Sequence, residues 1–245
     1  MNLLSIAQEA AAIVGTERPE TLFNKNNTQS LLFLSLLRDT LESIRRYGDW
    51  AQTIREGSFY ILSGKYRYEI TDICEDFFSL VPDTVYIKDS EEKVIGSLSP
   101  EAFIKASLSS GKRGGNALNE SFYLKGGAFC FASLPPVGSK VVFQYQTKNI
   151  LREAEKKEGS IYYKADMTKD TDIPLFDAYL VKLGLIWRWY KRNGMPYEEE
   201  YQEYLTELKK SYADGRMIEN ISLLGGGFLK DFSLGDVHVT AKTNG

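Results

Sequence analysis

The chain has 245 residues, 43% of them hydrophobic and 26% charged, with a formal net charge of −3. That composition belongs to a globular chain long enough to build a real core, and it excludes a disordered or fibrous one. The mild acidity speaks against a molecule that works as a whole by clamping nucleic-acid phosphates, although a local basic patch stays open.

Residue counts narrow the chemistry further. His238 is the only histidine and lies near the C-terminus in a VHV run, so Ser-His-Asp, Cys-His and His-rich metal designs would all depend on one residue that reads as a solvent-exposed tail position. Cys74 and Cys130 are the only cysteines; two thiols this far apart are no disulfide framework and no CxxC zinc site, and both read as reduced apolar residues of a chain made in a cytosol. The opening MNLLSIAQEAAAIVG carries no Lys or Arg before its apolar part and contains Gln8 and Glu9, which makes a poor signal peptide. No run approaches the ~20 apolar residues that span a bilayer, so the expectation is a soluble protein without a membrane partner.

Leu3, Ala7, Ala11 and Val14 recur at helical spacing and the period stops at Gly15, which predicts a first helix. After the polar loop TERPETLFNKNN, a second helix is expected over about 27–47, with a stripe of Leu34, Leu37, Leu41 and Ile44 and with Arg45 and Arg46 in its last turn, where cations suit the helix dipole. From Asp49 the period shortens. SFYILSGKYRYEI alternates on both sides of Ser63-Gly64 and predicts a hairpin; TVYIKDS and KVIGSLS are further strand candidates. Ser99-Pro100-Glu101 is a helix start, giving a short helix through about Ser109, and SSGKRGGN is a loop. ESFYLKGGAFCFASLPPVGSKVVFQYQTKN predicts three strands that turn at Gly126-Gly127 and at Pro135 to Gly138. LREAEKKEGSIYYKADMTKDTDIP reads as a polar surface connection with an extended piece at Ile161 to Tyr163. A third helix is expected over about 173–193, a fourth from Pro196 to about Ala213, and an extended tail over 214–245.

The expected fold class is therefore α+β: a helical bundle formed from the N- and C-terminal parts (1–48 and 173–213), an inserted antiparallel β domain with a short helix (49–172), and the C-terminal tail. The stretch LGLIWRWYKRNGMPYEEEYQEYLTELKK (183–210) decides most about function. Phe176, Leu180, Leu183, Trp187 and Tyr190 share one helical face, Tyr197, Tyr201, Tyr204, Leu208 and Tyr212 share another, and an Asn193-Gly194 stop before Pro196 makes an αα-hairpin the natural joint. Leu175, Tyr179, Leu185 and Trp189 are then left on the far side of the third helix, to be covered by the N-terminal helices or by a neighbouring subunit. The catalytic and ligand motifs are weaker. Glu198, Glu199 and Glu200 suit the first turn of a helix without any catalysis. The glycine pairs and Gly225-Gly226-Gly227 match neither a P-loop nor a dinucleotide fingerprint, and Asp166, Asp170 and Asp172 lack the ligand order of an EF-hand. No catalytic residue, metal or cofactor is expected.

RRYGDW (45–50), YEITDICEDFFSLVPDTVYI (68–87), FYLKGGAFCFASLPPVGSKVVFQYQTKN (122–149) and DTDIPLFDAYLVKLGLIWRWYKRNGMPYEEEYQEYLTELKK (170–210) together resemble, in this order, the head-to-tail adaptors or tail accessory factors of short-tailed phages. The resemblance covers most of the chain, and its specificity lies in the linear arrangement. It implies a structural, non-enzymatic virion protein at the head-tail junction, made in the host cytoplasm. It further implies a homo-oligomeric ring, a dodecamer by analogy, docked under the portal protein as a platform for tail nozzle and fibre proteins, through which DNA passes without sequence-specific binding. Such adaptors lay an extended C-terminal segment on the portal, a role that would fall here to Ile221, Leu223, Leu224, Phe228, Leu229 and Phe232, while Leu175, Tyr179, Leu185 and Trp189 would be subunit-interface candidates. Two alternatives stand beside it. One is a tail-associated peptidoglycan hydrolase using two carboxylates, an activity credited to one relative in the family. The other is a nucleic-acid-binding module using Arg188, Lys191, Arg192 and the Trp rings.

Overall fold

A computed structural model describes residues 1–109, 120–154 and 162–225, and of residues 109 and 216–225 the backbone alone. The chain mixes helices with antiparallel sheets, the α+β class. Helix α1 spans Leu3–Ile13 and α2 spans Thr28–Tyr47. Each starts on an Asn whose side chain accepts a backbone N–H of the first turn: Asn2 from Ser5 at 2.8 Å, and Asn27 from Gln29 and Ser30 at 2.9 and 3.0 Å.

After a short turn at Ala51–Thr53 the strands follow: β1 (Ile54–Tyr60), β2 (Arg67–Glu69), a one-turn α3 (Ile70–Ile73), β3 (Phe77–Leu80) and β4 (Tyr86–Ile87). Then come α4 (Pro100–Ser109), β5 (Ser121–Lys125), β6 (Ala128–Ser133), β7 (Lys140–Thr147), β8 (Leu151–Arg152), β9 (Tyr163–Lys164) and β10 (Ile173–Pro174). Strand β7 is the hub: β1 pairs with it on one side, β3 and β4 on the other. A second sheet runs β2-β6-β5 and a small third one β10-β8-β9. The two larger sheets bury an aromatic core between them, with Phe59 against Tyr68 at 4.7 Å and Phe143 against Phe129 at 5.0 Å between ring centroids.

The hairpin expected around Ser63-Gly64 is corrected here. β1 pairs with β7 and β2 with β6, so the chain crosses from one sheet to the other at this turn. The alternation read from SFYIL and KYRYE is real, but it reports which face is buried: Phe59, Ile61 and Tyr68 all point into the shared core instead of lying across a two-strand ladder. KVIGSLS makes only isolated bridges, Tyr86 with Lys93 and Ile95 with Ser121.

Helix α5 spans Ala178–Arg192 and α6 spans Glu198–Gly225. The third helix thus starts five residues later than its expected onset at 173, because Ile173–Pro174 pairs with β8 and Asp177 caps α5 by accepting from Tyr179 and Leu180. The extended tail is corrected over 214–225, where α6 continues as helix; 226–245, and with it Phe228, Leu229 and Phe232, lie outside the described residues. Residues from α1, α2, α5 and α6, with Trp50, Ile150 and Leu151, share one buried core; the sheets hold the other. Where α5 crosses α2 the backbones meet at Gly184: a Cβ there would stand 2.4 Å from the Thr40 methyl.

The crossing gives a reciprocal test. Gly184→Ala should lower stability by about 1 to 3 kcal/mol in urea denaturation, since the close contact forces the helices apart. Thr40→Ser removes that methyl while keeping the hydroxyl that bonds the Leu36 carbonyl, so the double variant should recover most of the loss; no recovery would mean that the crossing is not the cause.

Candidate interaction site

The aromatic rings of 183–210 are used mostly inside the chain. Trp187 packs on Tyr201 at 4.9 Å, Tyr204 at 6.0 Å and Tyr197 at 6.2 Å, which closes the α5–α6 hairpin. The Arg188 guanidinium lies 4.3 Å from the Trp187 ring centre and its Nη1 donates to the Gly184 carbonyl at 3.0 Å. Burial lowers its pKa, opposed by Tyr204, Asp39 and Tyr201. Lys191 sits 5.7 Å from both the Trp187 and Tyr197 rings. Of the cations offered for nucleic-acid stacking, Arg188 and Lys191 are thus engaged with the chain's own rings, and Arg192 is exposed.

At the other end of the hairpin the helical and sheet layers join. Trp50 is buried at the end of α2, its Nε1 donating to the Ile44 carbonyl at 2.7 Å, with Phe176 and Tyr212 edge-on to its ring, each at 5.3 Å. From the sheet side the buried Gln146 of β7 donates its amide to the carbonyls of Arg45 (3.1 Å) and Gly48 (2.9 Å), which are orphan acceptors at the end of α2. Arg45 stacks 3.9 Å over Phe78 and pairs with Glu42. Behind these lies Asp76, which accepts from Tyr145 (2.7 Å), Thr147 (2.5 Å) and Asn149 (3.2 Å). Burial alone would raise the Asp76 pKa, but hydrogen bonds from Thr147, Tyr145 and its own backbone, with Arg55 nearby, outweigh it and hold the carboxyl below the ordinary range. Burial, then the bond to Asp76, pushes the Tyr145 phenol up. No spacing rule signals this joint, because Gln146 and Asp76 are single polar residues whose partners here lie 69 to 101 residues away in the chain.

The proposed subunit face does not survive as one surface. Leu185 is fully buried in the helical core, so it is a core residue and not an interface residue: α1 and α2 both pack on α5 from this chain. Leu175 is half-buried and donates its N–H to the Ile150 carbonyl at 2.9 Å. Trp189 is half-buried beside Tyr190 at 5.6 Å. Tyr179 stays 45% exposed, its hydroxyl donating to Glu203 at 2.8 Å. Ile221, Leu223 and Leu224 fall on the last turns of α6. Glu198, Glu199 and Glu200 occupy its first turn, as their spacing predicts. Asp170 and Asp172 serve the fold: Asp170 accepts from Thr21 and Leu22, and fully buried Asp172 pairs with Lys164 at 2.7 Å and accepts two backbone N–H groups. Among the described residues no three His, Cys, Asp or Glu side chains are grouped to hold a metal ion, and no helix is long and apolar enough to cross a membrane. A groove of about 490 Å³ beside the joint is lined by Arg38, Arg45 and Lys148 and by Asp39, Glu42 and Asp166, cations and carboxylates in equal number.

No protein-family model matches the chain, and no curated protein matches it.

The Asp76 cluster predicts an acid limb. Because the folded state lowers this pKa, its contribution to stability is complete above the unfolded value, about 3.9, and is lost as pH falls through the lower folded value. Urea midpoints measured from pH 6 down to pH 2 should fall less steeply for Asp76→Asn than for the parent chain; parallel curves would remove Asp76 from the acid response.

Proposed function

We propose that the chain is a structural subunit of a phage head-to-tail adaptor. In this reading copies assemble into a ring, twelve by analogy, under a portal protein, lengthen the DNA channel and present a platform to tail nozzle and fibre proteins. The observation that carries the proposal is the joint. The four stretches whose order underlies the resemblance to such adaptors meet there. RRYGDW supplies Arg45, Gly48 and Trp50; the 68–87 stretch supplies Asp76 and Phe78; the 122–149 stretch supplies Tyr145, Gln146 and Thr147; the 170–210 stretch supplies Phe176. The stretches that carry the resemblance therefore form one scaffold within the chain.

The long sixth helix changes the form of the docking segment in this reading, helical over 214–225 where an extended chain was expected. Beyond Tyr212, whose ring closes the joint, α6 continues to Gly225, a rise of about 20 Å. It carries Ile221, Leu223 and Leu224 toward the segment that would dock on the portal. Twelve chains of net charge −3 would total roughly −36, a balance that does not favour holding DNA.

Electron microscopy of portal mixed with this protein should show an added ring. A chain ending at Ala213 keeps Tyr212 and the joint, so it should fold with an unchanged circular dichroism melting profile yet fail to attach. Attachment by the shortened chain as strong as that of the full chain would refute the docking role of the C-terminal segment, and absence of any complex at micromolar concentration would refute the adaptor reading itself.

A further inference from the structure

We propose that Asn193-Gly194 is a deamidation site which the α5–α6 turn holds closed, so that reaction proceeds through opening of the turn and its product weakens the helical hairpin. The inference is independent of the adaptor reading. Asn is among the chemically labile residues, and a following glycine, which has no Cβ, leaves the reacting backbone nitrogen unshielded. Both residues are exposed to water, and Gly194 occupies the left-handed region with φ 68°.

In the reaction, base removes the Gly194 amide proton and that nitrogen attacks Cγ of Asn193. The new N–C bond closes a five-membered imide as the bond from Cγ to Nδ2 breaks, and Nδ2 leaves as ammonia after taking up a proton. Water then opens the imide at either carbonyl, giving aspartate or isoaspartate. The closed turn opposes each requirement. The nucleophile's N–H donates to the Lys191 carbonyl at 3.3 Å. The leaving group is tied down as well, since Asn193 Nδ2 donates back along α5 to the Trp189 carbonyl at 2.8 Å. Asn193 is the C-cap of α5 at φ −90° and ψ 8°, and its own N–H is shared between the carbonyls of Trp189 and Tyr190, both at 3.1 Å. Cγ can swing onto the Gly194 nitrogen only when the Nδ2 and Gly194 bonds are both given up, which is local opening of the turn.

The product works against reclosure. A carboxylate at 193 donates nothing to the Trp189 carbonyl and places negative charge at the negative end of the α5 dipole, a cost that neighbouring Lys191 and Arg192 reduce. The isoaspartate route adds a carbon to the main chain between residues 193 and 194, where the Met195 N–H must reach the Tyr190 carbonyl at 3.0 Å. The packing of Trp187 on Tyr201 begins six residues before Asn193, within about two helical turns.

The full chain, incubated at pH 8 and 37 °C with and without denaturing urea, is digested and the peptide containing residue 193 followed by mass spectrometry. Conversion should be at least about tenfold slower in the native chain; equal rates would overturn the closed-site proposal. Asn193→Gln, which would have to close a six-membered ring, should show no conversion in urea over the same time; conversion at the same rate there would mean that another residue of the peptide reacts. Asn193→Asp, and the isoaspartate form separated from aged protein, should unfold at lower urea than the parent, and unchanged midpoints for both would overturn the destabilising role.

Discussion

Two hydrogen bonds from one side chain set the relation between the halves of this molecule. A helix ends with carbonyls that have no partner within the helix, and at the end of α2 the carbonyls of Arg45 and Gly48 are met by the amide of Gln146. Gln146 lies on β7, the strand on which β1, β3 and β4 all pair, so the contact fixes the helix end against the register of a whole sheet. It is only 2% exposed, and a hydrogen bond shielded from water in this way is costly to leave unmade on either side. Trp50 repeats the arrangement from the helical side, bonding its indole to Ile44 and offering its ring to Phe176 and Tyr212.

The rest of the chain arranges itself around that joint. α5 starts just after Phe176, which lies in the joint, and α6 returns to it at Tyr212, with the Trp187 cluster closing the far end of the hairpin. The N-terminal helix is held from a different quarter: the Leu3 and Leu4 N–H groups donate to the carbonyls of Asp172 and Asp170, whose carboxylates bind the loop after α1 and the buried Lys164. The two N-terminal helices and α5 and α6 thus share one helical core, while the middle builds the sheets around its own aromatic core. The consequence for function is that the ring-rich segment reads as internal scaffold. Of the four residues set on the far side of α5, Tyr179 alone stays exposed.

Much of the helical part was legible in the sequence. Apolar spacing is a local property, and the Asn193-Gly194 stop acts within a few residues of itself, so α2, the hairpin and its facing rings follow from the sequence, whereas the Asp177 cap that starts α5 five residues after the expected onset does not. Alternation likewise marked SFYIL and KYRYE as strand-like, and the face it buries carries Phe59, Ile61 and Tyr68. Other features were not legible. α6 runs past Ala213 although the apolar period fades there, because a period reports the face a helix buries and not whether its backbone bonds continue.

What the sequence determined by itself was therefore the set of elements with local signals: the helices and the stop between α5 and α6, the alternation of the strands, and the poverty of histidine and cysteine that limits the chemistry. Tertiary structure decided the partners. Alternation cannot say that β1 belongs to β7 and β2 to β6, since strand pairing joins residues distant in the chain. Helical spacing cannot say which element covers Leu185, and here the chain's own α1 and α2 pack on its helix. A lone Gln and a lone Asp carry no pattern; Gln146 and Asp76 acquired their roles only when folding brought unsatisfied carbonyls and hydroxyl donors within hydrogen-bonding distance.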